Sequence, residues 1–198
     1  VTELLKKVYT QERVDKIKKQ MSNIDNGVFV PIVSSNLLPG YIAEYLKSIL
    51  NGEIFTGLKL INTQIQRKSL NIWQRLLNPR NFESLESIEN LQDKKVFIID
   101  DQFTTGGTVR DAVKLLNENS INVSGIITLG TSWCRRFSPD AYLLKCFVNK
   151  FSDNGTQDIE NITGYKIYQF TFREVTEMLK VKNLESLKIK IMNADELE

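Results

Sequence analysis

The chain has 198 residues, enough for one domain with appendages, and its 41% hydrophobic and 25% charged residues are typical of a globular protein. Lysine and arginine total 26 against 24 for aspartate and glutamate, so the net charge of +2 does not indicate a nucleic-acid-binding protein. There is no histidine, which excludes catalytic triads that contain histidine and zinc sites with imidazole ligands.

The first part of the chain predicts alternating helices and strands. Apolar spacing over residues 3–20 predicts an amphipathic helix. Residues 28–33 form a nearly continuous apolar run, as in strands that are buried on both faces of a parallel sheet. A second helix is expected over residues 39–50, closed by Asn51-Gly52, and residues 54–61 are expected to form a strand.

A long insertion then interrupts this alternation. Between residues 62 and 95 the apolar pattern loosens, and insertions of this size usually carry function or small elements of their own. Residues 96–99 read as a buried strand, a helix follows through Leu116, and residues 123–129 form the next strand. This order predicts an α/β fold with a doubly wound, mainly parallel sheet.

The last third of the sequence is less regular. Residues 139–151 predict a helix, and residues 165–170 alternate like a strand. Thr171 to Glu174 form a capping box that opens a further helix. We therefore expect a core over residues 1–151 and a C-terminal α+β extension over residues 152–198.

Cysteine content and hydropathy indicate the compartment. Cys134 and Cys146 are too few for a four-cysteine metal site or a disulfide framework. No apolar run approaches the roughly 18 residues that span a bilayer, and the sequence does not begin with a signal-peptide pattern. We therefore expect a cytoplasmic protein with free thiols and no membrane partner. Because the first residue is Val1 and not methionine, a processed or truncated start stays open.

The segment from Val96 to Thr108 carries the specific chemistry. Asp100 and Asp101 follow a buried strand at its carboxyl end, where open α/β sheets bind their ligands. Next comes a loop that combines flexible glycines, hydroxyl donors and the N-terminus of a helix, which together suit a phosphate monoester. The loop residues are Thr104, Thr105, Gly106, Gly107 and Thr108. The carboxylates can bind the hydroxyls of a sugar or the water molecules of Mg²⁺, so the pattern predicts a sugar 5-phosphate ligand.

Three other interpretations account for less of this segment. A doubly wound fold can end a strand with Asp and cap a helix with Thr without any ligand, but this explains only one residue of each kind. A P-loop requires Gly-Lys-Ser/Thr, and no lysine lies between Lys95 and Lys114. A phosphoacceptor receiver domain has paired acids but lacks a glycine-rich phosphate loop.

The same segment resembles the phosphoribosyl-pyrophosphate (PRPP) motif of type I phosphoribosyltransferases. The resemblance extends over residues 28–130 and implies a five-stranded, mainly parallel sheet with a hood insertion at about residues 62–95. It implies that Asp100 and Asp101 bind the ribose hydroxyls and that the Thr/Gly loop binds the 5-phosphate. It also implies Mg²⁺ as cofactor, held indirectly by the two aspartates, and a homodimer, which is frequent in this family.

A second family element corresponds to Ser34, Ser35 and Asn36. In the family this short loop contacts pyrophosphate through backbone amides, whereas the alternative is an ordinary polar turn. No arginine or lysine lies between Lys19 and Lys47, so charge for the pyrophosphate has to come from elsewhere.

The insertion supplies that charge in a basic strip, for which a solvated basic face is the alternative. The strip comprises Lys59, Arg67, Lys68, Arg75 and Arg80. By resemblance to the flexible loop of several type I enzymes, Arg67 and Lys68 are the candidate catalytic residues, which would neutralise departing pyrophosphate.

The resemblance does not name the substrate. Thr104 and Gly107 stand where hypoxanthine-guanine enzymes have Asp and Lys, which disfavours a 6-oxopurine. Orotate enzymes carry a lid rich in lysine and histidine, and histidine is absent here. Residues 30–32, 40–41 and 67–82 resemble ComF-like, amidophosphoribosyltransferase-like proteins.

Two hypotheses follow. The first is a Mg²⁺-dependent phosphoribosyltransferase that acts on an unidentified base or amine. The second is a non-catalytic regulatory protein that binds PRPP or a nucleotide and is coupled to a partner or to nucleic acid through the basic strip. In both, PRPP or a ligand of the ribose 5-phosphate type is the expected partner.

Overall fold

A computed structural model describes most of the chain and divides it into two compact units. The described residues are 1–21, 24, 27–32, 36–61, 70–84, 87–131 and 136–194. Unit 1 comprises Val1–Asn62, Asn81–Phe103 and Ala112–Ser132, and unit 2 comprises Thr63–Arg80, Thr104–Asp111 and Trp133–Glu198.

Helices and strands alternate in the first two thirds of the chain, and helices dominate the last third. The helices are α1 (Thr2–Val8), α2 (Gln11–Gln20), α3 (Leu38–Leu50), α4 (Ile72–Leu77), α5 (Gly107–Glu118), α6 (Ala141–Thr163), α7 (Phe172–Lys180) and α8 (Leu184–Met192). The strands are β1 (Val28–Pro31), β2 (Glu53–Ile54), β3 (Leu58–Leu60), β4 (Phe82–Ser84), β5 (Val96–Phe103) and β6 (Val123–Thr131). Within the described ranges, two 3-10 turns cover Ile88–Leu91 and Ile167–Gln169.

The main sheet lies in unit 1 and is parallel throughout. Its strand order is β2-β1-β5-β6, and β1 pairs with β5 from Val28 opposite Val96 to Pro31 opposite Ile99. All four residues of β1 are buried, as parallel strands that are covered on both faces require. The α/β parallel fold is therefore confirmed, with four strands in the described part of the chain where five were expected.

The core of unit 1 joins helices α1 to α3 to one face of this sheet. The rings of Phe29 and Phe97, on neighbouring strands, lie 6.1 Å apart between centroids. Leu46 of α3 and Leu5 of α1 belong to the same buried cluster. Helix α3 ends as expected at Asn51, whose φ of 52° is in the left-handed region that suits a helix C-terminus.

Two expected elements of unit 1 are each divided in two. The helix predicted over residues 3–20 is α1 and α2, because Tyr9 turns into the core, 5% exposed, and Thr10 adopts the extended backbone of an N-cap. The strand predicted over residues 54–61 is β2 in the main sheet and β3 in a separate antiparallel pair with β4. Buried Leu58 and Leu60 flank exposed Lys59, the alternation of a sheet with one face in solvent.

Unit 2 has its own core, built mainly from the C-terminal helices. The helix predicted over residues 139–151 begins with Asp140 as N-cap and continues through α6 to Thr163, with one non-helical residue at Ser152. Aromatic side chains fill the centre, with the rings of Phe147 and Phe151 4.8 Å apart in an edge-to-face pair. The predicted capping box is confirmed, since Thr171 and Glu174 each bind the other's backbone N–H.

The expected strand over residues 165–170 is wrong, and the described part of the C-terminal extension is helical and not α+β. A 3-10 turn forms here because the side chain of Gln169 accepts a 2.7 Å hydrogen bond from the Lys166 N–H. Tyr165 and Phe170 are both buried across this turn, which produces the apolar alternation without a strand. The division between residues 151 and 152 stays a prediction.

The insertion carries small elements, as expected. Its described residues include α4, β4 and the first 3-10 turn. None of the helices in the described ranges has the length and apolar character needed to cross a bilayer.

Candidate functional site

The paired carboxylates lie within β5, in unit 1. The sequence placed the end of this strand at Ile99, but β5 continues to Phe103 because its pairing with β6 continues. Asp100 is opposite Thr128, and Gln102 is opposite Gly130. Strand β6, over residues 123–131, is the longest strand in the described part of the chain. Because it extends this far, its pairing with β5 keeps Asp100 and Asp101 in an extended conformation.

The two carboxylates are held close together by the backbone. The Asp101 N–H donates a 2.9 Å hydrogen bond to Oδ1 of Asp100, and the Gln102 N–H donates one of 2.7 Å to Oδ1 of Asp101. Burial, together with the neighbouring Asp101, raises the pKa of Asp100 to about 7. A ligand that donates hydroxyl hydrogens or brings positive charge would relieve this repulsion, as both hypotheses require.

Asn36 is the described member of the predicted pyrophosphate loop. Its Nδ2 donates a 2.5 Å hydrogen bond to Oδ2 of Asp101, and its Oδ1 accepts one of 3.0 Å from the Leu38 N–H at the start of α3. The structure therefore brings Asn36 to the acidic pair. Ser34 and Ser35 lie outside the described residues, as do Arg67 and Lys68, so their predicted roles stay predictions.

The predicted phosphate loop belongs to unit 2. It leads directly into α5, which begins at Gly107, and the Arg110 N–H donates a 2.8 Å hydrogen bond to the Gly106 carbonyl. Gly106 has a φ of 80°, a backbone conformation that side chains other than glycine rarely adopt. Thr105 and Gly107 are buried, while Thr104 and Thr108 are half-buried. This is a tight turn at a helix N-terminus, which is the arrangement that binds phosphate.

Arginine side chains from two helices of unit 2 approach this loop. Arg75 of α4 donates from Nη1 to Oγ1 of Thr105, and Arg173 of α7 donates from Nη1 to the Thr104 carbonyl, both at 3.4 Å. Burial, together with the charges of Arg173 and Arg80, lowers the pKa of Arg75. Sequence reasoning placed Arg75 and Arg80 in a basic strip but missed Arg173, because it lies about 100 residues away inside a helix-capping sequence.

A buried ion network, also missed, underlies the same part of unit 2. Arg110 forms ion pairs of 2.8 Å with Asp111 and 2.7 Å with Glu174, and its guanidinium lies 3.9 Å from the centroid of the Tyr165 ring. Burial alone would lower the pKa of Arg110, but the two carboxylates outweigh burial and raise it. The Tyr165 hydroxyl donates to Asp111 at 2.8 Å, so the network ties α5 to α7 and to the turn after α6.

The acidic pair fits Mg²⁺ only as an indirect ligand set. Among residues that the structure describes, there is no group of three or more acidic or thiol side chains that could hold a metal ion. Mg²⁺ in proteins commonly retains water and takes one or two carboxylates plus phosphate oxygens of a substrate. Two adjacent aspartates whose charges repel each other match this kind of site.

Comparison with known proteins identifies a family and similar solved structures. The family model for the phosphoribosyl transferase domain matches residues 11–168. A solved structure described as an analysis of an invariant aspartic acid in HPRTs, asparagine mutant, has 10% sequence identity and a TM-score of 0.40. The likeness covers 69% of this chain and 77% of that one.

Proposed function

The chain belongs to the phosphoribosyl transferase domain family, and on that premise we propose that it transfers the phosphoribosyl group of PRPP to a nitrogen nucleophile. The reaction breaks the bond between C1 of the ribose and the pyrophosphate oxygen, and it forms a bond between C1 and nitrogen. Pyrophosphate leaves with the bonding electron pair, and the nucleophile loses a proton to solvent. The accepting base or amine is left open.

One observation carries the proposal. Two hydrogen-bonded carboxylates at the end of a parallel strand are followed, after only Gln102 and Phe103, by a Thr/Gly turn that opens a helix. A ribose 5-phosphate presents vicinal hydroxyls and a phosphate separated by a few bonds. Consecutive binding groups for hydroxyls and for phosphate therefore match this ligand better than a free nucleobase or an inorganic ion.

Each part of the segment has a stated role in the proposal. Asp100 and Asp101 accept hydrogen bonds from the ribose hydroxyls and favour positive charge developing on the ring as pyrophosphate departs. The turn from Thr104 to Thr108 binds the 5-phosphate through N–H and hydroxyl donors. Ser34, Ser35 and Asn36 are proposed to contact pyrophosphate, and Arg67 and Lys68 to neutralise its charge.

The proposed cofactor is Mg²⁺. Asp100 and Asp101 would hold it through the ribose hydroxyls or through water molecules, and when bound it supplies charge neutralisation to the leaving pyrophosphate. None of the roles assigned to the residues of the chain requires histidine.

The test is calorimetric titration with PRPP and with ribose 5-phosphate, each with and without Mg²⁺. We expect PRPP to bind more tightly with Mg²⁺ than without it. Asp100→Asn with Asp101→Asn should abolish binding while thermal unfolding remains cooperative. Asp15→Asn with Asp93→Asn removes the same charge from exposed positions of unit 1 and should bind normally. Normal binding by the first double variant would contradict the proposal, as would the absence of binding by the unmodified protein.

Catalysis is tested separately by release of pyrophosphate from PRPP in the presence of purine bases, pyrimidine bases or ammonia. The alternative function is a non-catalytic protein that senses PRPP or a nucleotide, and the absence of arginine and lysine between Lys19 and Lys47 favours it. Equal binding of PRPP and ribose 5-phosphate without dependence on Mg²⁺, together with no release of pyrophosphate, would identify the sensor.

A further inference from the structure

Asp111 joins three segments of unit 2 that are distant in sequence. It lies in α5 and is buried. Its Oδ1 accepts hydrogen bonds of 2.9 Å from Nε of Arg110 and 2.8 Å from the Tyr165 hydroxyl, and its Oδ2 accepts one of 2.6 Å from the Arg80 N–H. Burial raises the pKa of Tyr165, so the hydroxyl keeps the hydrogen that it donates. One carboxylate therefore ties α5 to the turn after α6 and to the chain that follows α4.

The chain between Arg75 and Arg80 is attached to the α5 region at both of its ends. Arg75 of α4 donates from Nη1 to Oγ1 of Thr105, in the Thr/Gly turn, at 3.4 Å. Further along the chain, the Arg80 N–H makes the 2.6 Å bond to Asp111. Because the bond to Asp111 is much the shorter of the two, we expect it to fix this chain and the contact with the turn to depend on it.

Helix α7 is attached to the same region in the same way. Arg173 donates from Nη1 to the Thr104 carbonyl at 3.4 Å, and the neighbouring Glu174 forms a 2.7 Å ion pair with Arg110 of α5. The guanidinium of Arg110 lies 3.9 Å from the centroid of the Tyr165 ring. The Thr/Gly turn is therefore flanked by two segments that are both bound to one buried network.

This network is better suited to fixing positions than to adding stability beyond that of apolar packing. Burial removes charged and polar groups from water, and this cost offsets much of the energy of their pairing. Hydrogen bonds nevertheless depend on direction, so each bond permits only a narrow range of positions for its partners. Replacing Tyr165 by phenylalanine keeps the ring against Arg110 and removes only the hydrogen bond that orients Asp111.

We propose that Tyr165 and Asp111 are positioning residues for the proposed reaction: the Tyr165 hydroxyl orients the Asp111 carboxylate, which holds the chain at Arg80 and, with it, the Thr/Gly turn. The inference rests on the proposed function and deepens it, because it gives the C-terminal extension a role in holding this turn. Neither residue is assigned a contact with the ligand. A turn that samples several arrangements binds its ligand less tightly than one held in a single arrangement, because binding then has to select one of them.

The experiment compares Tyr165→Phe with Tyr168→Phe. The first variant removes the hydroxyl that donates to Asp111 and keeps a buried ring. The second makes the same chemical change at a tyrosine that is 65% exposed. Calorimetric titration with PRPP and Mg²⁺ gives the dissociation constant and the number of binding sites per chain. Hydrogen exchange followed by mass spectrometry measures how well the backbone amides of the turn are protected, without any ligand.

We expect Tyr165→Phe to raise the dissociation constant for PRPP by about tenfold and to leave the number of binding sites unchanged. Exchange at the Arg80 amide and over residues 104–111 should become about tenfold faster, while exchange in α8 of the same unit stays the same. Tyr168→Phe should match the unmodified protein in every measurement. A variant that only loses folded protein would instead show fewer binding sites, an unchanged dissociation constant and faster exchange in α8 as well.

The outcomes separate this inference from the proposed function. If the unmodified protein binds PRPP and Tyr165→Phe binds it equally tightly, or loses only binding sites, the inference is wrong. If the unmodified protein does not bind PRPP, the proposed function fails and hydrogen exchange decides on the inference alone. Faster exchange confined to Arg80 and residues 104–111 then supports positioning, whereas unchanged or uniformly faster exchange overturns it.

Asp111→Asn tests whether Tyr165 acts through Asp111. The amide keeps one acceptor oxygen but turns an NH₂ group toward one of the donors that the carboxylate binds. Adding Tyr165→Phe to this variant should weaken PRPP binding little further, because the two residues act in one chain of contacts. A full further tenfold loss would overturn this order of action. Should Asp111→Asn not fold, the comparison of Tyr165→Phe with Tyr168→Phe still decides.

Discussion

Asn36 and Asp101 are 65 residues apart in the sequence and share a hydrogen bond of 2.5 Å between Nδ2 and Oδ2. The bond joins the segment that leads into α3 to the acidic pair on β5. Asn36 is also fixed from its other side, because its Oδ1 accepts from the Leu38 N–H. An amide at this position supplies the hydrogen-bond donor that a third carboxylate would lack.

The first prediction concerns this donor. Asn36→Asp places a carboxylate against Asp101 and replaces an attractive contact with a repulsive one. At about pH 8 we expect a loss of about 1–2 kcal/mol in the free energy of unfolding, because the two carboxylates repel each other. Urea denaturation at this pH measures the loss.

Asn161→Asp is the matched control. Asn161 is exposed, and its side-chain oxygen accepts a hydrogen bond from Gln157 Nε2, which a carboxylate can also accept. This variant should retain its stability under the same conditions. Equal stability of Asn36→Asp and the unmodified protein at high pH would show that the contact with Asp101 contributes nothing.

A second prediction follows from the pKa of Asp100, which burial and the neighbouring Asp101 raise from 3.8 to about 7. Between these two values the folded protein binds more protons than the unfolded chain, so the free energy of unfolding falls as pH rises. Asp100→Asn removes this penalty. The variant should be more stable than the unmodified protein above about pH 7, by at most about 4 kcal/mol, and equal to it near pH 4.

Urea midpoints over this pH range measure the effect. Asp93→Asn removes one exposed negative charge and controls for net charge. If Asp100→Asn and the unmodified protein lose stability in parallel as pH rises, Asp100 does not titrate in this range.

The sequence predicted well those parts of the fold where a local pattern of residues is compatible with only one kind of structure. The apolar run at β1 and the run that opens β5 have to be buried on both faces, and a parallel sheet between helices achieves this. The acidic pair and the Thr/Gly loop were also found, because ligand chemistry at a strand end depends on consecutive residues.

The parts that it missed depend on polar side-chain contacts that the spacing of apolar residues does not reveal. Residues 165–170 alternate like a strand, yet Glu160 accepts a 2.9 Å hydrogen bond from the Ile167 N–H and the segment forms a 3-10 turn. Arg173 reaches Thr104 from 69 residues away. No local pattern encodes this second contact, since it requires knowing which helices pack together.

The third prediction tests the buried network around Arg110. Arg110→Met leaves Asp111 and Glu174 without their cation in a buried place, which should lower the free energy of unfolding by about 3–5 kcal/mol. Adding Glu174→Gln removes one of the two stranded charges and keeps an acceptor for the Thr171 N–H, so it should recover part of the loss.

The exposed pair of Arg136 and Asp140 provides the control for this experiment, with 64% and 48% of the side chains accessible to solvent. Arg136→Met should cost less than about 1 kcal/mol. Thermal and urea unfolding of the three variants measure these differences. If Arg110→Met lowers the free energy of unfolding no more than Arg136→Met does, the network does not stabilise unit 2.

The last prediction concerns two glycines of unit 1 with opposite surroundings. A Cβ at Gly52 would lie 2.5 Å from the Gly27 carbonyl oxygen, which accepts the hydrogen bond from the Glu53 N–H that begins the pairing of β1 with β2. Gly52→Ala should therefore force the backbone apart and cost about 1–3 kcal/mol. Gly40 lies in α3, and apart from its chain neighbours and the backbone of its own helix no described atom lies within 4 Å of an added Cβ, so Gly40→Ala should be neutral or stabilising by up to about 1 kcal/mol through helix propensity. Urea denaturation measures the stability of both variants. If Gly52→Ala is as stable as Gly40→Ala, the backbones of β1 and β2 do not lie as close together as in the structure.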